Sequence, residues 1–203
     1  MNHANQLEVE VKFLLADRAA FRARLLAAGA ALTRARVFER NTRFDTPDQR
    51  LLQGEELLRL RQDTAVRLTY KGLAAADLLS EAKIREELEI EVSDFDTAAL
   101  IFTRLGFAPV QVYEKYRETF TWHEVEIVLD ELPYGDFVEL EGTEAGIKTA
   151  VSTLNLPWDK RITNNYLGLM AALKTRHDLE FDDLTFANFQ HVQAHIASLL
   201  PAV

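Results

Sequence analysis

The sequence predicts an α+β protein built around a largely antiparallel sheet. Three observations carry this: charged and apolar residues alternate in one short segment after another, these segments cluster along the chain, and capped helical patterns fall at the connections. In an extended strand alternate side chains point to opposite faces. Glu8, Glu10 and Lys12 of the first segment therefore share one face, and Val9 and Val11 the other.

Later segments repeat the pattern. Leu58-Arg59-Leu60-Arg61 alternates, as does Val66 to Lys71, and Arg85 to Val92 places Arg85, Glu87, Glu89 and Glu91 on one face. Tyr113 to Phe120 aligns Lys115 with Arg117; Glu126 to Asp130 and Phe137 to Glu141 complete the set. Asp17 reads as the N-cap of a helix stopped by Gly29, and Ser93 or Asp94 opens another closed by Gly106. Asp45-Thr46-Pro47-Asp48 reads as a turn into a short helical stretch ending near Gly54, and Leu132 to Asp136 as a hairpin. Glu144 to Leu154 and Asn164 to Leu173 have helical patterns. Phe186, Phe189, Val192, Ile196 and Leu199 recur at helical spacing in the tail, which predicts a helix docked outside the sheet or across a subunit interface. Asp77 to Lys83 reads as a charged linker.

Composition narrows the function. The 203 residues suit one domain with an extension, here residues 1–176 and 177–203. No cysteine is present, so disulfides and thiolate metal sites are excluded. A net charge of -9 argues against a nucleic-acid-binding surface. No apolar run approaches the ~18 residues of a membrane helix, and the N-terminus lacks the apolar core of a signal peptide. The expectation is a cytoplasmic protein that binds neither nucleic acid nor membrane. The five histidines show no metal-ligand spacing beyond His191 and His195, four residues apart. From periodicity alone, the charged faces fit a solvated sheet surface as well as a shared polar cavity.

The ordered motifs resemble the CYTH family, the triphosphate tunnel metalloenzymes. The series begins with Glu8-x-Glu10-x-Lys12 and continues through Arg43-Phe44-Asp45-Thr46-Pro47-Asp48, Leu58-Arg59-Leu60-Arg61 and Leu68-Thr69-Tyr70-Lys71-Gly72. Arg85-x-Glu87-x-Glu89, Glu114-Lys115-Tyr116-Arg117, Leu129-Asp130 and Gly135 to Glu141 follow. Asn41 and Arg43 stand where related sequences often carry an acidic and an aromatic residue.

The resemblance implies an antiparallel eight-stranded barrel whose lumen is a charged tunnel, with helices packed outside. Barrel closure agrees with the alternation, which puts polar groups inside and apolar groups outside. Lys12, Arg59, Arg61, Lys71, Arg85, Lys115 and Arg117 are then candidates for binding the phosphates of a small triphosphate molecule. Carboxylates repel phosphate, so their presence in the same lumen points to a bridging Mg²⁺ or Mn²⁺. Glu139 and Glu141 are the leading metal candidates, with Glu10, Glu87, Glu89 and Asp130 on the acidic side. Glu8, Glu10 and Lys12 are the candidate catalytic group, Glu8 or Glu10 orienting the attacking water. Arg67 and Glu126 share the inward parity and are expected at a tunnel mouth. The implied activity is metal-dependent hydrolysis of a linear triphosphate, inorganic or attached to a small organic group. The alternative is a class IV adenylate cyclase that makes cyclic AMP and pyrophosphate from ATP. A homodimer is compatible with either.

Overall fold

The computed structural model describes residues 7–73 and 82–203, apart from the side chains of Leu7, Glu8 and Lys83. The expected linker over Asp77–Lys83 lies outside the described residues up to position 81. Eight strands form a closed antiparallel barrel. They are β1 (Leu7–Leu15), β2 (Ala31–Asp45), β3 (Leu57–Gln62), β4 (Val66–Leu73), β5 (Lys83–Val92), β6 (Ala108–Trp122), β7 (Val125–Leu132) and β8 (Gly135–Glu141). Their order around the barrel is β1-β5-β4-β3-β2-β6-β7-β8. β1 closes the ring by pairing with both β5 and β8.

The helices follow their sequence signals. α1 (Arg18–Ala27) starts at Asp17, whose carboxylate accepts from the backbone N–H of Ala20, and Gly29 leaves it in the left-handed region at φ 85°. α2 (Arg50–Gln53) is a single turn held by Asp45, which accepts from the backbone N–H groups of Leu51 and Leu52. α3 (Phe95–Arg104) is capped by Asp94 and followed by Gly106 at φ 93°. α4 (Glu144–Thr153) is capped by Thr143 and α5 (Tyr166–His177) by Asn165.

These helices cover the outside of the barrel. Val11, Phe13 and Leu15 of β1 pack with Ile127, Leu129, Val138 and Leu140 beneath Phe21 and Leu25 of α1 and Ile147 and Val151 of α4. α3 covers β2 and β3 through Phe102, which meets Phe44 edge-on at 5.1 Å, and Leu60. A third apolar cluster joins Leu14 and Phe137 to Tyr166, Leu169, Met170 and Leu173 of α5 and to the tail. Leu14 and Phe137 have the same parity as Lys12 and Glu139, so this cluster closes one part of the barrel end.

The tail is not one helix. It contains α6 (Phe186–Phe189), a single turn capped by Thr185, and a 3-10 turn at Ile196–Ser198. Its apolar residues serve separate partners, which breaks the helical path that their spacing suggested. Leu184 pairs through its backbone with Val112 and Glu114, and the Ile196 N–H donates to the Tyr134 carbonyl. The Val203 N–H donates to the Leu14 carbonyl. His191 and His195 therefore share no helix.

The strand that the sequence obscured is β2. Its outward residues include Phe38, which stays 40% exposed, and several arginines and threonines, so no clean apolar face declares it. Register shifts within its pairing to β6 break the alternation further.

Candidate functional site

The lumen contains a cavity of about 670 Å³. Glu10, Lys12, Arg59, Arg61, Lys71, Arg85, Glu87, Glu89, Lys115, Arg117, Glu139 and Glu141 all line it. A second opening of about 350 Å³ shares Arg61, Arg117 and Glu126 with the first and adds Thr33, Arg34, Arg67 and Thr119. Arg67 lines only the second opening, and Glu126 lines both. Asp130 does not line the cavity. It is fully buried behind the lining, where it anchors cations. Glu8 occupies β1 opposite Arg85, and its side chain lies outside the described residues.

Each strand contributes alternate side chains, and the network follows from the register. Lys12 Nζ lies 3.3 Å from Glu10 and 3.2 Å from Glu139. Burial opposes its charge, but these two carboxylates raise its pKa above the ordinary lysine range. Arg117 donates from Nε and Nη2 to the two oxygens of Asp130 at 2.7 and 2.6 Å, and from Nη2 to Glu139 at 2.6 Å. Lys115 and the Tyr166 hydroxyl each donate to Asp130 at 2.9 Å. Burial would raise the Glu139 carboxyl, yet Lys12, Arg117 and Lys115 hold it well below the usual carboxylate range. Arg61 donates to Glu89 at 2.8 Å, and Lys71 pairs with Glu87 at 3.2 Å. Arg59 donates to the Tyr113 hydroxyl at 2.8 Å and to Thr69 at 3.1 Å.

Sequence reasoning missed Glu39. This carboxylate has no solvent exposure, and neither oxygen has a hydrogen-bond partner within the protein. Lys115 and Arg61 stand 3.7 and 3.9 Å away. Burial would raise its pKa, but Lys115, Arg117, Arg61 and Arg59 more than offset that and lower it to about 2. Tyr166 was also missed. Its ring lies beneath Lys12 and Lys115, at 5.1 and 5.4 Å from their ammonium groups. The signals were Glu39-x-Asn41-x-Arg43, which continues the inward parity of β2, and an aromatic residue immediately after the Asn165 cap.

The acidic residues suit a hard divalent cation. Glu10 pairs in register with Glu141, and Glu141 with Glu126, which sets three carboxylates on neighbouring strands β1, β8 and β7. Like charges directly opposite repel, and a cation between them removes that cost. Among the described residues, no three acidic or histidine groups converge as a ready-made metal cage. The donor set is nevertheless all oxygen, the chemistry that Mg²⁺ and Mn²⁺ prefer, so the residues fit such an ion.

The fold and site define an antiparallel barrel with a lumen lined by charges of both signs. The family model described as the CYTH domain matches residues 6–154, and the chain belongs to that family. CYTH proteins are metal-dependent enzymes that act on triphosphates. A protein of Methanocaldococcus jannaschii named "Putative adenylate cyclase MJ0240" is 29% identical over 175 residues, covering 80% of this chain and 98% of its own. A solved structure from Vibrio parahaemolyticus, described as a "putative adenylate cyclase", superposes with a TM-score of 0.71 at 21% identity, over 82% of this chain and 98% of that one. HpAC1 of Hippeastrum, named a "putative adenylyl cyclase" with a dominant triphosphatase activity, has a TM-score of 0.58 at 19% identity over 81% of this chain and 95% of that one. No helix among the described residues is long and apolar enough to cross a membrane.

Proposed function

We propose that the protein hydrolyses the terminal phosphate of a linear triphosphate, with Mg²⁺ or Mn²⁺ as cofactor, and that it works in the cytoplasm. The observation that carries this reading is the division of one lumen into a basic bank and an acidic row. Arg59, Arg61 and Lys71 line the cavity from β3 and β4, and Lys115 and Arg117 from β6. The Glu10–Glu141–Glu126 row lies on the neighbouring strands β1, β8 and β7.

Phosphate oxygens would engage the basic bank, where guanidinium groups can bind them in pairs. Arg59 is well placed because its hydrogen-bond partners, Tyr113 and Thr69, are neutral, and its carboxylate partner Glu89 stands at 3.8 Å. Lys12, Arg117 and Arg61 would exchange part of their carboxylate contacts for phosphate contacts. Glu10, Glu139 and Glu141 would hold the metal, with Glu87 and Glu89 on the opposite acidic side; the ion would supply polarisation of the phosphoryl group. Asp130 fixes Lys115 and Arg117, so its role is to position the basic bank. Glu8 or Glu10 would orient the attacking water.

Cyclisation of ATP is the second reading, favoured by the names of the relatives from Methanocaldococcus jannaschii and Vibrio parahaemolyticus. It makes a further orientational demand, because the ribose 3′-hydroxyl must face the α-phosphate. Product analysis distinguishes the two. The protein is incubated with inorganic triphosphate, thiamine triphosphate and ATP in the presence of Mg²⁺ or Mn²⁺. Orthophosphate release supports hydrolysis. Cyclic AMP with pyrophosphate overturns it in favour of the cyclase, and binding without turnover overturns both.

A further inference from the structure

Most lumen cations have a carboxylate partner, and two arginines at one end depart from that rule. Arg43 of β2 points into the cavity between Gln111 of β6 and Arg59 of β3, its partners in register. Its hydrogen bond is to a neutral acceptor, from Nη1 to Gln111 Oε1 at 3.0 Å. Arg85 of β5 lines the same cavity, and its guanidinium bonds the backbone carbonyls of Gly72 and Glu55. Neither arginine has a carboxylate of the described residues at ion-pair distance.

Arg43 is half-buried. Burial lowers its pKa most; Tyr113 and Asp45 partly offset this, and Arg85 opposes its charge. A desolvated guanidinium beside two others is costly without an anion. Arg59 completes the cluster, with its Nε buried and unpartnered. Together the three arginines make a cluster of guanidinium groups in the same cavity as the proposed phosphate-binding bank.

We propose that Arg43, with Arg59 and Arg85, forms a subsite for a further phosphate, so that the tunnel takes linear polyphosphate chains of four or more phosphates in preference to three. This rests on the triphosphate reading above and extends it to chain length. A guanidinium also stacks on flat rings, but Arg43 is held by its hydrogen bond to Gln111 and lies in register with Arg59, an arrangement that suits phosphate oxygens.

The test is calorimetric titration of inorganic tripolyphosphate, inorganic tetrapolyphosphate and ATP into the protein with chelator present, which makes the readout independent of turnover. The wild-type protein is expected to bind tetrapolyphosphate more tightly than either other ligand. Arg43→Gln should reduce the tetra-to-tri affinity ratio about tenfold, the loss of one charge-assisted contact, and Arg43→Lys should restore part of it. Arg85→Gln, which removes only contacts to backbone carbonyls, provides a second variant should Arg43→Gln fold poorly, with the same direction expected. Equal wild-type affinities for the two polyphosphates would overturn the proposal, as would an Arg43→Gln effect that is uniform across all three ligands. Were the affinity ladder present while no ligand is turned over, the hydrolase reading would fail and the subsite would stand.

Discussion

Glu39 should make the barrel sensitive to acid, and the structure sets the size of the effect. Its carboxyl falls from an ordinary 4.5 to about 2 in the folded protein. A depressed carboxyl stabilises the fold fully above its unfolded value and loses that contribution as pH falls through its folded value. A shift of this size is on the order of 3 kcal/mol at neutral pH. Linkage leaves roughly 1.4 kcal/mol of it at pH 3 and almost none at pH 2. Glu39→Gln keeps the shape and removes the charge, leaving Lys115 and Arg61 without their nearest shared anion. Urea denaturation of both proteins at pH 7, 5 and 3 should therefore show a difference of about 3 kcal/mol that holds between pH 7 and 5 and narrows by more than half at pH 3. A difference below about 1 kcal/mol at pH 7, or one that does not change with pH, would refute the reasoning.

Other perturbations separate the acidic and basic roles. Glu139→Gln and Glu141→Gln should each lower triphosphate turnover sharply at limiting Mg²⁺ while the thermal transition stays cooperative; full activity in both would remove them as metal holders. Arg59→Ala should weaken triphosphate binding by about 1.5–3 kcal/mol in calorimetry, since its present partners are largely neutral. Arg117→Ala should act on the fold as well, costing about 3 kcal/mol in denaturation because buried Asp130 loses its two-pronged partner. Deleting residues 180–203 uncovers Leu14, Tyr134 and Phe137, so the truncated protein should lose solubility; a soluble, fully stable truncate would show that the tail adds little to the core.

How much of this could be read from sequence depended on whether each strand faces one solvent or two environments. β1, β3, β4, β5, β7 and β8 alternate visibly because their outer faces are apolar and their lumen faces charged; helices cover much of the apolar side, while Leu88 and Ile90 of β5 stay exposed. β2 was hidden because its outer face is partly exposed and carries Arg36 and Arg40, so both faces look polar. Glu39 was lost with it. That Lys12, Arg59, Arg117 and Glu139 lie on the charged faces of their strands followed from parity; the shared lumen came from the family resemblance, and their partners from neither. Parity tells which face a residue occupies, but the pairing of Lys115 and Arg117 with Asp130 depends on register between β6 and β7. Tyr166 comes from a helix, which the strand pattern cannot place. The tail failed for a related reason: its apolar residues are spaced as on a helix, but each packs into a different gap on the barrel.

The position of β1 in the ring bears on how the chain is made. Of the eight barrel strands β1 is the first to be synthesised, yet its neighbours are β5, which starts at Lys83, and β8, which ends at Glu141. At ~5–20 residues per second, both of its edges wait on the order of ten seconds for a partner. Through that interval Val11, Phe13, Leu14 and Leu15 form an unpaired apolar strand of the kind that seeds association between nascent chains. The alternating Glu10 and Lys12, which later face the lumen, meanwhile act as gatekeepers on that strand. The same charges that face the lumen in the finished barrel would thus keep the newborn strand soluble until the ring can close.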